Sequence, residues 1–254
     1  MFVIAQNTFR ELLRSKLVSL ILFVGIALIL LSLGLKTISL WETSRMLIDY
    51  GLSFTELTGV VLILIITPWL ITREISERTL YLLLAKPIPR ERIILGKWLW
   101  LAWVLGCVVL SQTLVLWVLF FLEHIPIEWI FWVALLGIYG KLLILSAISL
   151  FLTIWVSPFI AQFATLVLYW IGHSTFLILD FSDRHGNTTY AILGHIFAGI
   201  FPNFSSLNLK TLVWTGVSID VNSIFLAFLS AILYLLVILI LMGVVFRRKK
   251  YDTI

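Results

Sequence analysis

The chain has 254 residues, 61% of them apolar and only 12% charged, with a net charge of +5 and a mean hydropathy of +1.11. Ordinary soluble domains carry about 25% charged residues, so a soluble globular fold is excluded. Apolar stretches long enough to cross a hydrocarbon core of about 30 Å recur along the whole length, and runs such as 18–35 lack the alternation of a membrane β-barrel.

These features describe an all-α membrane protein with one transmembrane domain over residues 1–254. In such a chain, basic residues are read by their position, and the positive balance is no signature of nucleic-acid binding. Cys107 is the single cysteine, so an intrachain disulfide is excluded. The first apolar run is too long for a signal-peptide core, and no cleaved leader is expected.

Residues 1–16 place Phe2, Ala5, Phe9, Leu12 and Leu13 on one helical face and Gln6, Asn7, Arg10 and Arg14 on the other. That pattern predicts a helix lying in the membrane interface. The first span follows at 18–35. A loop over 36–51 carries Arg45 and Asp49, and the second span is expected at 52–72, with Glu56 about a turn inside its outer end. The third span (98–122) is uncharged. An acidic turn with Pro126 leads to the fourth (129–156), which holds Lys141 near its middle. Ser157-Pro158 marks a tight turn, the fifth span runs to residue 179, and the sixth covers 221–246. Between the last two lies the longest connection, 180–220. Its stretch 191–215 mixes apolar residues with Gly194, Gly199, Pro202 and Asn203, and reads either as paired half-helices dipping into the outer leaflet or as a surface loop.

The second and third spans are joined by the most basic interruption in the chain, 73–97, with the sequence REISERTLYLLLAKPIPRERIILGK. Glu74 and Arg78 are spaced for a helical ion pair with the acid first, and Arg73 and Glu77 for a second. Leu80, Leu83 and Leu84 form an apolar stripe, and Pro87 and Pro89 break the helix before the chain turns back into the bilayer. A short amphipathic helix over 73–92 is expected, presented to a soluble partner. Arg90 and Arg92 would add polar contacts.

Thirteen of the eighteen lysines and arginines lie at the two termini and in 73–97, against four in the opposite connections. The basic side of a membrane chain is cytoplasmic, so both termini and 73–97 are expected there.

Motifs for catalysis are missing. Gly96-Lys97 lacks the glycine and hydroxyl spacing of a phosphate loop, and no nucleophile elbow or metal-ligand helix motif occurs. The four histidines match no compact metal site. Lys141 leaves two readings open. It lines a substrate path or gate, or it is a structural lysine. With no acid expected near the midplane, its partner is expected to be a carbonyl or hydroxyl.

Glu74, Thr79, Leu83-Leu84, Pro87-Ile88, Arg90 and Gly96-Lys97 resemble the signature of ABC-2 type permeases, the membrane subunits of ATP-binding-cassette transporters. That signature runs from an acid through a Gly-Thr pair, a leucine run and Pro-Ile/Val-x-Arg to Gly-Lys. Arg78 stands where the family usually has the glycine, which favours a continuous helix. The resemblance implies six spans, an interfacial N-terminal helix and a re-entrant region before the last span. It also implies that 73–92 is the coupling helix that docks on the ATPase. It further implies a bacterial or archaeal cytoplasmic membrane, two ATPase copies holding ATP and Mg, and a second permease copy or homologue. This chain would then be no enzyme, hold no cofactor of its own and move or extract a substrate. The alternative is a non-transporting scaffold that transmits ATPase motion to an envelope machine.

Overall fold

Six long helices carry the chain, each an apolar run whose backbone groups are satisfied within the helix, as a hydrocarbon surrounding demands. The computed structural model describes residues 16–36, 43–76, 90–184, 201–210, 212–215 and 221–248, together with 192, 194, 196 and 199. The helices are α1 (Lys16–Lys36), α2 (Thr43–Ser76), α3 (Arg90–Leu122), α4 (Trp129–Trp155), α5 (Pro158–Arg184), the single turn α6 (Leu212–Thr215) and α7 (Val221–Arg248). All but α6 are long and apolar enough to cross a membrane. No strand occurs among the described residues. The interfacial helix expected over 1–16 lies outside them, apart from Lys16.

Helix α4 is the axis of the bundle and packs against α2, α3, α5, α6 and α7. Its sequence is apolar on every side, the pattern of a buried helix, and Ile130, Phe131, Leu142 and Leu145 are all buried. The small residues Ser146, Ala147 and Ser149 let neighbouring backbones approach, and all three are buried. The Trp98 indole donates to Ser146 Oγ at 3.2 Å and the Tyr139 hydroxyl to the Ala102 carbonyl at 3.0 Å, so both of these dipoles find an acceptor across the α3–α4 contact. Helix α7 leaves most of its surface outside the bundle, with Phe225, Leu236 and Ile240 exposed.

Two helices begin earlier than expected. Helix α2 starts at Thr43, so Arg45 and Asp49 belong to the helix and not to a loop. Leu47, Ile48 and Leu52 are buried at helical spacing, and this apolar stripe extends the helix through the charged turns. Helix α3 starts at Arg90, directly after Pro89, with Glu91 in the first turn where the helix dipole favours an acid. At the other end of α3, His124 takes left-handed backbone (φ 55°) in the turn to α4. The turn between α4 and α5 falls at Val156 and Ser157, with Pro158 opening α5 as its fixed φ permits.

Within the long connection, the described segment 201–210 packs into the bundle. Ile192, Gly194, Ile196 and Gly199 have helical backbone, 201–210 is irregular, and α6 follows. Phe204, Leu207 and Leu209 are buried. The Phe204 N–H donates to the Gly172 carbonyl on α5 at 3.1 Å. On α4, a Cβ at Gly137 would stand 2.7 Å from the Leu207 carbonyl oxygen, so only glycine admits the segment there. Asn203 Oδ1 accepts from the Ser206 N–H at 3.1 Å and from the Ser205 hydroxyl at 2.6 Å, closing a turn by side chain.

Candidate functional site

The irregular segment ends on Lys210, whose ammonium reaches the interior of the bundle. There it meets Glu56 of α2. Glu56 sits at the middle of the Arg45–Leu70 span, and Lys141 at the middle of Trp129–Trp155. The Lys141 Nζ donates to Glu56 Oε1 at 2.7 Å, and both side chains are 1% exposed. This corrects the expected carbonyl or hydroxyl partner for Lys141. It also corrects the position of Glu56, which the earlier start of α2 moves from the span's outer end to its centre.

Helix α5 closes a third side. Tyr169 and His173 stand four apart, on one helical face. The Tyr169 hydroxyl donates to Glu56 Oε1 at 3.1 Å, and His173 Nε2 lies 3.2 Å from the same oxygen. Their rings sit 4.6 Å apart, and both flank the buried Phe204 ring at about 6 Å. Lys210 Nζ lies 2.6 Å from Glu56 Oε2 and donates to the hydroxyl of Ser53, one turn before Glu56, at 3.2 Å.

One carboxylate therefore gathers side chains from α2, α4, α5 and the 201–210 segment. Exposure is graded across the group. Glu56 and Lys141 form a closed floor, whereas Lys210 is 14% and His173 26% exposed. Isolated charges inside an apolar bundle are costly and are held there by pairing, so this cluster is the strongest polar organiser of the fold. It can clamp the irregular segment to three helices, with only Lys210 and His173 partly exposed.

Of the residues expected to couple to an ATPase, the described ones lie elsewhere, at the end of the bundle where α2 finishes and α3 begins. Arg73 and Glu74 belong to the last turns of α2, and Arg90 and Arg92 to the first turn of α3, with Arg92 exposed. Glu77, Arg78, Leu80, Leu83, Leu84 and Pro87 lie outside the described residues. Gly243, near the end of α7, approaches Glu91, so the last helix ends on this same side. Sequence reading singled out Lys141 but missed Glu56 as its partner, and missed Tyr169, His173 and Lys210. The available signal was that Glu56 is the only charged residue between Asp49 and Arg73. Lone opposite charges on two apolar spans are natural partners.

Neither a protein-family model nor a curated protein matches the chain.

Proposed function

We propose that the chain is the membrane subunit of an ABC-2 type transporter, in which a separate ATPase drives export or extraction of a substrate. The observation that carries this reading is the signature from Glu74 to Lys97, which falls at the junction of the second and third of six long apolar helices. Helix α2 continues past its apolar span at Leu70 to Ser76, carrying Arg73 and Glu74 beyond it. The 73–92 stretch is then the docking element. Its leucine stripe would enter a groove of the ATPase, and its charges would fix register. Motion of the docking element would pass into α2, whose last turns carry Arg73 and Glu74, and from α2 to α4 through their shared contact. In this reading both termini are cytoplasmic, the membrane is a bacterial or archaeal cytoplasmic membrane, and two copies assemble with two ATPases. The 201–210 segment is the core of a re-entrant region, which the burial of Phe204 and the reach of Lys210 to mid-span Glu56 support.

The test is purification of the tagged chain from its native membrane. It should carry an ATP-hydrolysing subunit in equal copy number, and Glu74→Lys with Glu77→Lys together should shed that subunit while the melting temperature of the membrane subunit stays unchanged. No associated ATPase, or undiminished co-purification and ATP turnover in the double variant, overturns the assignment.

A further inference from the structure

We propose that the cluster around Glu56 is a receiving site for one monoanionic oxygen group, a carboxylate or a phosphodiester. The inference stands on this chain alone and does not depend on an ATPase partner.

The first argument is charge. Two ammonium groups, Lys141 and Lys210, contact a single carboxylate. Among the described residues no other acid contacts either lysine. The group thus carries an excess positive charge inside an apolar bundle, where an uncompensated charge is far more costly than in water. One further negative charge balances it, and two would reverse it. A monoanion fits.

The second argument is hydrogen bonding. An ammonium carries three donors. Lys141 uses one, on Glu56 Oε1, although its side chain is 1% exposed. Lys210 donates to Ser53 and lies against Glu56 Oε2. Glu56 Oε1 is already approached by Lys141, Tyr169 and His173. Beyond these contacts both ammoniums keep donors to spare, and anionic oxygens would accept from them while balancing the charge.

The third argument is access. A closed structural ion cluster buries every member, whereas here Glu56 and Lys141 are buried and His173 and Lys210 are partly exposed. A ligand group would reach Lys210 before Lys141. The aromatic rings of Tyr169 and Phe204 beside His173 lower the local polarity, which strengthens the attraction.

The experiment uses the purified full chain in a maltoside detergent, which contributes no phosphate or carboxylate. Thermal unfolding is followed while sodium acetate, sodium dimethyl phosphate or the bulky sodium morpholinoethanesulfonate is titrated at constant total sodium. We expect a saturable rise in melting temperature of about 3 °C with acetate or dimethyl phosphate, and none with the sulfonate. The stronger of the two ligands identifies the group as carboxylate or phosphodiester. Glu56→Gln removes the competing carboxylate, so its midpoint concentration should fall at least about tenfold. Lys210→Gln should abolish the rise. Equal responses to all three salts, a rise retained in Lys210→Gln, or a midpoint unchanged in Glu56→Gln overturns the proposal. If either variant does not fold, saturation by acetate or dimethyl phosphate in the unmodified chain, with no response to the sulfonate, decides it.

Discussion

Glu56 accepts a 2.7 Å hydrogen bond from Lys141 across 85 residues of sequence, at the centre of the two most deeply packed helices. The pair does not stand alone, because Lys210 reaches the other carboxylate oxygen. That third charge decides what each substitution does.

Counting charges ranks three variants. Glu56→Gln leaves two ammoniums side by side with no carboxylate, and should cost about 3–5 kcal/mol, the range for breaking a buried pair. Lys141→Met and Lys210→Met each leave one carboxylate facing one ammonium, and should cost about 1–2 kcal/mol, closer to one or two lost hydrogen bonds. Glu56→Gln combined with Lys141→Met should recover part of the loss, since one orphaned charge goes with it. Thermal unfolding in detergent reads the order. Lys141→Met costing more than Glu56→Gln would contradict it.

A second prediction concerns how the 201–210 segment is seated. Gly137→Ala puts a methyl group 2.7 Å from the Leu207 carbonyl oxygen, a backbone atom with little room to retreat. The variant should lose about 1–3 kcal/mol through overpacking. It should also pull Lys210 from Glu56, so that Lys210→Met costs less in the Gly137→Ala background than alone. Additive melting shifts for the two changes would mean that the segment is seated independently of its lysine.

The arrangement of the helix ends makes a third prediction. Serine replaces Cys107, and single cysteines are placed at Ser76 and at Glu128. In intact cells Ser76→Cys should react with a membrane-impermeant maleimide only after the cells are opened, and Glu128→Cys before. Helix α3 separates the two positions and carries the uncharged run 98–122 within a candidate span of 32 residues. Labelling of both from one side would refute the six-span arrangement.

The docking stretch yields a fourth. Arg90→Glu with Arg92→Glu reverses two charges on the first turn of α3, where Arg92 is exposed. ATP turnover of the complex should fall at least about tenfold while the unfolding temperature shifts by no more than about 2 °C, because surface charges contribute little to stability. Turnover within twofold of the unmodified complex would remove these arginines from the docking surface.

The spans were legible because uncharged runs such as 98–122 leave hydrophobic burial as the sole option. Their ends were harder. Arg45 and Asp49 look like loop residues, yet the helix passes through them because Leu47, Ile48 and Leu52 face the bundle. A span starting at residue 52 puts Glu56 in the interface, where a carboxylate needs no partner, and so hides the Glu56–Lys141 pair. Tyr169, His173 and Lys210 gave no local sign at all. Their role follows from how 201–210 folds back between α4 and α5, and irregular backbone has no periodicity to read.

The chain order of the cluster bears on how the protein is made. Glu56 leaves the ribosome long before Lys141, and Lys210 follows later still. An α2 helix released into lipid on its own would carry a bare carboxylate at its centre, at a cost of a few kcal/mol. Its span is also among the less hydrophobic, with a mean hydropathy of 1.7 against 2.8 for α1. Pairing with Lys141 offsets that cost, so α2 gains stability in the bilayer once α4 is in place. The clamp from Lys210 closes only after five of the six spans have been synthesised, so in a chain lacking the segment before α7 Glu56 would keep Lys141, Tyr169 and His173 but lose its second ammonium.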